Sequence, residues 1–479
     1  MNNFEVVIGI ENHIELKTKT KMFAPAPVSF GSEPNTQISS VDLGYPGALP
    51  TVNREGVRLA LLACNALNMK IEPLLRFDRK NYFYPDLVKG FQITQNYHPI
   101  GSNGTLKVTM PNGEVKEFTI ERLHIEEDTA KQNHISETTY LDYNRSGIGL
   151  IEVVSNPVMR SADDAVAYVD HLREIVLFLG VSDAKMNEGS LRCDVNISLR
   201  PYGAKEFGNK VEIKNLNSLN NVRKAIEFEI KRQSKMLLNG EVVDQETRRF
   251  DEATQETILM RKKSSAVDYR YFREPNIHPI QLDAKWIDDV LKNSPELAET
   301  KRTRYLEKLK LDMKEVNYLL SDLTLVDFFE RTLVLINEPK KIANLIISDI
   351  QSLVNATNTP LNESKLTVEN FAALIQKMND GVISSKHVKI ILPIIFEKDV
   401  NVDQIIEEQN LKLISDRDTI EKLLLPIVEQ NHDLIKTQYE NRPERVEKQM
   451  MGQLMKVTGG NVNPEVGIDV IVTLIKKVK

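Results

Sequence analysis

The sequence predicts an α+β protein in which an open antiparallel sheet is followed by a largely helical chain. Polar and apolar side chains alternate along residues 6–16, 191–200 and 210–214, as expected of strands that bury one face. Apolar residues at helical spacing lie between these segments, so helices can cover the apolar face of the sheet. After residues 293–295 helical spacing dominates and alternation becomes rare. The first part of the chain is therefore predicted to be a cradle, with helices on one face of a sheet and polar side chains on the other.

The domain boundaries follow from length and composition. A chain of 479 residues suggests about three domains, at roughly 150 residues each. The composition changes near residue 293, and a polar joint lies at residues 398–401. The predicted domains are a cradle domain at 1–293, a helical domain at 294–404 and a helical tail domain at 405–479.

The overall composition excludes several classes of protein. Hydrophobic residues make up 41% and charged residues 27% of the chain, and no apolar run approaches the ~18 residues of a membrane span. The polar start shows no signal-peptide pattern, and Cys64 and Cys193 cannot build a disulfide scaffold or a thiolate zinc site. We therefore expect a cytoplasmic protein without a membrane anchor. The net charge of −6 argues against non-specific coating of nucleic acid but permits a local basic patch.

The first predicted strand places two acids and a histidine on one face. Because alternate side chains point the same way, Glu11, His13 and Glu15 project together, opposite Asn12. Side chains two residues apart lie roughly 6–7 Å from one another, close enough to share a divalent cation. The alternative is a half-exposed strand with a solvated polar face. This stretch alone favours the solvated face, and recurrence of the pattern along the chain favours the cation.

A helix, a basic aromatic loop and a hairpin follow. Apolar residues at helical spacing predict the helix at 54–69. The loop at 76–86 mixes three cations with four aromatic side chains. Such a loop suits a phosphate or a nucleotide terminus, and an aromatic plug under a surface turn is the equal alternative. The hairpin at 104–121 has Asn112-Gly113 as its turn.

Acidic side chains recur in the next two predicted strands. His124, Glu126 and Asp128 share one face, with Glu127 on the opposite face. Glu152 stands alone in the apolar run Leu150–Val154. A carboxylate in such a strand needs a cation, a partner or a proton.

The most regular alternation lies between two predicted helices, 161–180 and 217–238. Ser161 is the predicted N-cap of the first helix and Gly180 its stop. The polar faces of the two strands between them carry acids, amides and cations: Arg192, Asp194, Asn196, Ser198 and Arg200, then Lys210, Glu212 and Lys214. The shared face holds carboxylates enough for two divalent ions and lysines for phosphates, so we interpret it as a metal-nucleotide cradle. The sequence contains no Walker A motif, which argues against a P-loop.

The helical part carries cap signals and a mildly basic end. Thr367 with Asn370 and Ser415 with Asp418 are predicted N-terminal caps. From residue 440 to 479 there are seven Lys or Arg and five acids, a net charge of +2. This balance suggests contact with RNA, and a solvated helix face is the alternative.

The sequence resembles the B subunits of the glutamyl/aspartyl-tRNA amidotransferases. The stretches that carry the resemblance occur in order along nearly the whole chain: Val7–Leu16, Tyr45–Pro50, Phe77–Asp86, Leu123–Asp128, Glu188–Arg200, Glu212–Ser218, Asp268–Pro275, Asp380–Lys386 and Gly452–Pro464. The resemblance implies an N-terminal fold similar to glutamine synthetase and the guanido kinases. It also implies a helical segment and a small helical tail domain that contacts tRNA.

The resemblance further implies a reaction and partners. The chain would phosphorylate, with ATP and Mg²⁺, the side-chain carboxylate of Glu or Asp misattached to tRNA(Gln) or tRNA(Asn). Ammonia made from glutamine by a partner amidase subunit would then displace the phosphate, and a small third subunit would complete a heterotrimer. Neither Cys64, on a helix, nor Cys193, on the core face, is placed as a glutaminase nucleophile. Some family members carry zinc-binding cysteine pairs near positions 23–45, which are missing from this sequence, so we expect no zinc.

Site residues carry over by the same resemblance. The implied metal ligands are Glu11, His13, Glu126, Glu152 and Asp194. Catalysis is assigned to Glu11, His13, Glu126 and Asp194, and nucleotide binding to Lys80, Ser190, Asn196 and Lys214. Glu15, His124 and Asp128 are expected to have structural roles.

Two other functions remain alternatives at this point. A metal-dependent ATP phosphotransferase acting on a small carboxylate or guanidine would share the cradle but would need no helical tail. A non-catalytic RNA-binding scaffold would need the tail but would have no reason to place acids on inward strand faces.

Overall fold

The computed structural model of the protein describes residues 4–262 and 268–478. The chain separates into two compact units, Met1–Ala298 and Glu299–Lys479. The boundary between them lies close to residue 293, where the sequence predicts the end of the cradle domain. The predicted division of the second part at residues 404 and 405 stays a prediction, although residues 420–475 contain a hydrophobic cluster of their own.

Among the described residues, the first unit contains the strands and the first four helices. In chain order the strands are β1 (Phe4–Glu15), β2 (Lys70–Ile71), β3 (Leu74–Leu75), β4 (Asp78–Asn81), β5 (Phe91–Thr94), β6 (Gly101–Thr109), β7 (Val115–Glu127), β8 (Lys131–Ile135), β9 (Thr138–Asp142), β10 (Gly149–Ser155), β11 (Leu191–Pro201), β12 (Val211–Lys214), β13 (Glu246–Asp251), β14 (Glu256–Lys262), β15 (Phe272–Arg273) and β16 (Ile280–Gln281). The helices of this unit are α1 (Arg54–Ala66), α2 (Ala162–Phe178), α3 (Leu219–Leu238) and α4 (Ala284–Lys292).

Within the described residues, nine strands form one sheet in the order β14-β13-β12-β11-β1-β10-β7-β6-β2. Neighbouring strands are antiparallel except β12 and β13, which are parallel. The α+β prediction is confirmed, and the prediction of an antiparallel sheet is corrected at this one pair. In β1, Ile10, Asn12 and Ile14 are buried on one face, while Glu11 and His13 are half-buried on the other. The alternation therefore sorts the side chains as predicted.

Helices α1, α2 and α3 cover the apolar face of the sheet. Ser161 caps α2 by accepting a hydrogen bond from the Asp164 N–H, as predicted, and Asn53 and Ser218 cap α1 and α3. Side chains from the three helices and from the strands form one hydrophobic cluster. Each fully buried large aliphatic or aromatic side chain in such a cluster contributes about 1.5–3 kcal/mol. This core holds the central strands in register.

A small sheet of the order β15-β4-β5 lies over part of the polar face. The Thr94 hydroxyl of β5 donates a hydrogen bond of 2.8 Å to the Glu126 carboxylate. The Lys80 ammonium of β4 lies 3.6 Å from the same carboxylate. The prediction of an open polar face is therefore wrong at this point, because the small sheet forms a roof above β7.

The second unit is helical. Its elements are α5 (Ala298–Glu307), which begins at the boundary, α6 (Met313–Leu319), α7 (Leu323–Leu335), α8 (Pro339–Leu345), a π-helical turn (Ile346–Ile350), α9 (Gln351–Thr357), a 3₁₀ turn (Leu361–Glu363), α10 (Val368–Asn379), α11 (Ser385–Glu397), α12 (Val402–Glu408), α13 (Arg417–Gln430), α14 (His432–Gln438), α15 (Pro443–Val457) and α16 (Pro464–Val478). Thr367 caps α10 as predicted. The cap of α13 is Asp416 rather than the predicted Ser415, because it is the Asp416 side chain that accepts a hydrogen bond from the Thr419 N–H. Among the described helices, none combines the length and the apolarity that a membrane span requires.

Candidate catalytic and metal-binding cavity

Polar side chains from five neighbouring strands of the large sheet line a cavity of about 200 Å³. The strands are β12, β11, β1, β10 and β7, and the small sheet supplies the roof. The acids that line the cavity are Glu11, Glu126, Glu152, Asp194 and Glu212. The other lining residues are His13, Lys80, Thr94, Asn96, Arg122, His124, Lys214, Tyr269 and Tyr271.

Three of the acids form one group, which we call the acid cluster. A carboxylate oxygen from each of Glu11, Asp194 and Glu212 lies within 4.8 Å of the others. The ammonium of Lys214 lies 2.5 Å from Asp194 and 2.9 Å from Glu212. The amide of Asn196 donates a hydrogen bond of 2.7 Å to Glu11. The cluster is therefore held by pairing β1 with β11 and β11 with β12.

A second group, which we call the histidine cluster, lies on the neighbouring strands. The imidazole Nε2 of His124 is 3.2 Å from a carboxylate oxygen of Glu126 and 3.2 Å from one of Glu152. The Nε2 of His13 lies 3.5 Å from Glu152. Strand register explains the contact, since Glu152 pairs with His13 on one side and with His124 on the other. Lys80 completes the cluster through Glu126.

The protonation of the histidine cluster follows from burial and mutual charge. Burial alone would lower the pKa of His124, but the carboxylates of Glu152 and Glu126 outweigh burial and raise it to about 9. Burial also opposes the charged form of His13, yet Glu152 raises the pKa of that imidazole. Burial would raise the pKa values of Glu126 and Glu152, but Lys80 and the histidines hold them below the ordinary value. The chain thus neutralises these buried acids with its own cations.

The acid cluster has a different composition. It brings three carboxylates together around the ammonium of Lys214 and contains no imidazole. Carboxylate oxygens are the hard ligands that Mg²⁺ takes in proteins, so this donor set fits a divalent magnesium ion. The histidine cluster also brings three ligand atoms together. A cation bound there would have to displace the proton of His124, because metal ligands bind in their deprotonated form.

The segment 76–86, predicted to be a loop, contains strand β4 (Asp78–Asn81), and its phosphate-binding role stays a prediction. Lys80 lies above the Tyr269 ring at 5.3 Å and lines the cavity. Arg79 faces the other way, where its guanidinium pairs with Glu274 at 2.6 Å and lies over the Phe91 ring at 3.9 Å. Because successive strand residues point to opposite faces, Lys80 of β4 faces the cavity and Arg79 packs against aromatic side chains.

Acids next to the cavity are engaged elsewhere. Glu127 is buried, pairs with Lys89 and accepts a hydrogen bond of 2.9 Å from the Ile93 N–H. Asp128 pairs with Arg192 at 2.6 Å. Burial and the Asp128 carboxylate raise the pKa of Glu15 to about 7. None of the three acids lines the cavity.

The structure divides the predicted metal ligands, which the sequence treats as one set, between two clusters. Glu11 and Asp194 lie in the acid cluster, whereas His13, Glu126 and Glu152 lie in the histidine cluster. The residues predicted to bind nucleotide divide in the same way: Lys214 and Asn196 contact the acid cluster, and Lys80 contacts the histidine cluster.

Ser190 is not brought into the cavity. Its hydroxyl accepts a hydrogen bond of 2.8 Å from the Lys185 N–H and donates one of 3.3 Å to the Lys185 carbonyl, which closes a turn before β11. Its role toward a nucleotide stays a prediction.

Other cavity residues are not assigned from the sequence. The sequence gives His124 a structural role and identifies Glu212 only as a member of a polar face, yet each completes one of the clusters. The alternation that places Lys214 also carries Glu212, so this acid could have been found. Arg122 lies two residues before His124 on the same face of β7, and the same reasoning extends to it.

Comparisons with known proteins cover the whole chain. Residues 6–288 match the GatB/GatE catalytic domain and residues 327–475 match the GatB domain. The B subunit of the aspartyl/glutamyl-tRNA(Asn/Gln) amidotransferase of Mesoplasma florum is 57% identical over 477 residues, 99% of both chains. The protein of the same name from Mycoplasma mycoides is 57% identical over 100% of both chains, and that of Staphylococcus aureus is 45% identical over 97% of both. The cavity lies within the residues that match the catalytic domain.

Proposed function

Because this chain belongs to the GatB/GatE family, we propose that it is the B subunit of an aspartyl/glutamyl-tRNA(Asn/Gln) amidotransferase. It uses ATP to phosphorylate the side-chain carboxylate of Glu on tRNA(Gln) or of Asp on tRNA(Asn), and ammonia then converts the activated acid to the amide. Similarity to relatives of this name along 99–100% of the chain supports the proposal.

The relatives are named as one subunit among several, which points to a multi-subunit enzyme. We assign ammonia production from glutamine to a partner amidase subunit, and a small third subunit completes the heterotrimer, which works in the cytoplasm. Both cysteines of this chain are buried, and burial raises the pKa of each thiol. Neither therefore offers the thiolate that a cysteine glutaminase uses as its nucleophile.

The acid cluster is the place we assign to Mg²⁺. Glu11, Asp194 and Glu212 would hold it, and the ion would supply positive charge to the phosphates of ATP. The sheet with acids on one face and helices on the other is also the arrangement expected of a fold similar to glutamine synthetase and the guanido kinases. No role for zinc is proposed.

The reaction must bring two anions together, so most of the work is charge neutralisation. A carboxylate oxygen forms a bond to the γ-phosphorus while the bond from that phosphorus to the β–γ bridging oxygen breaks, and ADP leaves. The ammonia nitrogen then attacks the acyl carbon, the carbon–oxygen bond to phosphate breaks, and a proton lost from nitrogen leaves with the phosphate. Lys80 and Lys214 line the cavity, where their charges would neutralise these anions.

The side chains that roof the cavity also serve to exclude water. An acyl phosphate is hydrolysed if water reaches it before ammonia does. Tyr269 and Tyr271 stack edge to face at 5.9 Å and line the cavity beside Thr94. These side chains limit the access of bulk water to the acyl carbon.

One observation carries the proposal most directly. A single cavity is lined by the three carboxylates of the acid cluster and by the ammonium groups of Lys80 and Lys214. Such a cavity can accept a divalent cation together with polyphosphate. This arrangement is expected of a phosphoryl-transfer site and has no purpose in a binding scaffold.

The test is ADP formation by the chain assembled with its amidase partner. Misacylated tRNA, glutamine and Mg²⁺ should together give ADP and the amidated aminoacyl-tRNA, and correctly charged Gln-tRNA(Gln) should not. ADP formed with a free carboxylate or guanidine instead of tRNA would identify a small-molecule phosphotransferase. Binding of tRNA without ADP formation would identify a scaffold.

A matched pair of variants tests the place of the metal. Glu212→Gln should raise the Mg²⁺ concentration needed for half-maximal ADP formation, because it removes one charge from the acid cluster. Glu121→Gln is the control, since Glu121 is exposed on β7 and does not line the cavity. Equal Mg²⁺ dependence in the two variants would contradict the assignment.

A further inference from the structure

The cationic side chains that line the cavity differ in whether they have an acidic partner. Apart from the histidines, the described lining residues that carry it are Lys80, Lys214 and Arg122. Lys214 is paired with Asp194 and Glu212 at 2.5 and 2.9 Å, and Lys80 lies 3.6 Å from Glu126. The two lysines therefore belong to the two clusters.

Arg122 has no such partner. Within the described part of the chain its guanidinium makes no hydrogen bond and no ion pair, and its Nε is buried without an acceptor. A guanidinium nitrogen withdrawn from water without an acceptor is unfavourable, so an acceptor supplied by a ligand would stabilise it. Arg122 is thus a half-buried cation that lines the cavity and has an unused hydrogen-bonding edge.

Strand register locates Arg122 relative to the acid cluster. Arg122 pairs with Val154, Val154 pairs with Glu11, and Glu11 pairs with Asp194, so the four residues form one row across the sheet. Neighbouring strands are about 4.8 Å apart, which places the backbone of Arg122 roughly 10 Å from that of Glu11. The half-buried Val154 stands between them and carries no charge. The row therefore has a cationic end and an acidic end with an apolar gap.

The proposed reaction predicts which end of this row binds the phosphates and which end binds the carboxylate. If the acid cluster holds Mg²⁺ and the phosphates of ATP, an in-line attack brings the carboxylate to the γ-phosphorus from the side opposite ADP. If ADP lies at the acidic end of the row, the carboxylate enters from the end at Arg122. A guanidinium is a planar fork that binds both oxygens of a carboxylate at once, which a lysine ammonium does not.

We infer that Arg122 binds the side-chain carboxylate of the aminoacyl group and aims one of its oxygens at the γ-phosphate. This inference rests on the proposed function. Asn96 lines the same cavity, and the structure gives its side chain no hydrogen bond among the described residues, so its amide is available to the same carboxylate. Arg122 thereby selects a substrate that ends in a carboxylate and disfavours the amide product, which carries no charge.

The experiment uses the complete complex with three variants of this chain. Arg122→Gln removes the charge and the fork, and Arg122→Lys keeps the charge without the fork. Arg58→Gln is the control, because Arg58 lies on α1 outside the cavity and, among the residues that the structure describes, forms an ion pair only with Glu55 of its own helix. For each variant, kcat/KM for misacylated tRNA, the affinity for ATP and the affinity for uncharged tRNA are measured.

We expect Arg122→Gln to lower kcat/KM for the misacylated tRNA about 10- to 100-fold, the loss typical of a charge-assisted hydrogen bond. Arg122→Lys should recover part of this loss, while Arg58→Gln should behave as the parent protein. Affinities for ATP and for uncharged tRNA should stay within about twofold of the parent values, because neither contains the aminoacyl carboxylate.

Three results would overturn the inference. If kcat/KM is unchanged in Arg122→Gln while the parent complex forms amide, Arg122 does not bind the substrate and the proposed function survives. If the affinity for ATP falls with kcat/KM, Arg122 serves the nucleotide phosphates instead. If the parent complex forms no amide, the proposed function fails and the inference falls with it. Glutaminase activity of the complex and the thermal unfolding of Arg122→Lys show whether the variants are folded.

Discussion

The Nε2 of His124 lies 3.2 Å from a carboxylate oxygen of Glu152, a residue of the neighbouring strand β10. This contact accounts for a carboxylate that stands alone in an apolar run of the sequence. Glu152 also has His13 at 3.5 Å, so it is flanked by two imidazoles. Because the pKa of His124 is raised to about 9, its imidazole carries a proton at neutral pH and compensates the buried acids.

Glu126→Gln should reduce ATP-dependent amidation about 10²- to 10³-fold, the range seen when a preorganised electrostatic group is removed. Glu126 accepts a hydrogen bond from Thr94 and faces His124 and Lys80, so the variant removes the carboxylate paired with Lys80 and one of the two that contact His124. Unlike a residue on an open face, it is 2% exposed, and a lower melting temperature is also expected. Glutamine hydrolysis by the partner amidase should keep at least its basal rate.

Glu121→Gln is the matched control for that variant, because the same substitution is made at an exposed position of the same strand. Glu127→Gln is unsuitable as a control, since Glu127 is buried with Lys89 and its loss should destabilise the protein. Amidation and glutaminase activity of the reconstituted complex are measured for each. Similar amidation losses in Glu126→Gln and Glu121→Gln would remove Glu126 from the site.

The purified chain alone should release no glutamate from glutamine. Cys64 and Cys193 are 0% and 2% exposed, and burial raises the pKa of both thiols, so they stay protonated and shielded at neutral pH. A thiol reagent should accordingly label them only when the protein unfolds. Glutamate release by the isolated chain would show that a nucleophile has been overlooked.

Removal of residues 416–479 should weaken tRNA binding and leave the binding of Mg²⁺ and ATP unchanged. The predicted boundary at residue 405 would cut through α12, where Ile405 and Ile406 are buried, whereas a cut before α13 spares that helix. The acids of both clusters lie in the first unit and stay intact. Affinities for tRNA and ATP are compared in the full-length and shortened chains, and an equal tRNA affinity in the two would contradict a tRNA-binding tail.

The helical unit should lose stability in acid through Glu330. Burial would raise the pKa of Glu330, but hydrogen bonds from Lys301, Arg304 and Tyr305 outweigh burial and lower it. A carboxyl group with a lowered pKa in the folded state stabilises the protein above its unfolded pKa of about 4.5, and that contribution is lost as the pH falls through the folded value.

Glu330→Gln should therefore lower the free energy of unfolding at pH 7 by about 1–2 kcal/mol, discounted for partial exposure. The difference between variant and parent should shrink as the pH falls below about 4.5. Chemical unfolding of the full chain between pH 7 and pH 3 measures it. A difference that is independent of pH would show that the carboxylate charge contributes nothing.

Much of the fold can be predicted from the sequence because the signals are local. The alternation along β1 sorts Glu11 and His13 from Ile10 and Ile14, since successive strand residues face opposite ways whatever lies around them. Caps such as Ser161 depend only on the next few residues. The side chains on each strand face and the ends of most helices could therefore be predicted.

What the sequence by itself determined is thus the composition of the polar face, namely which acids, histidines and cations lie on it. Only the tertiary structure decided how that face is divided. Strand pairing joins Glu11 to Asp194 and Glu152 to His124, and the small sheet brings Lys80 against Glu126. These partners are far apart in the chain, and their meeting depends on register and on the packing of one sheet over another. No local pattern encodes such contacts, so two clusters and a roofed cavity replace the single open site that the sequence predicts.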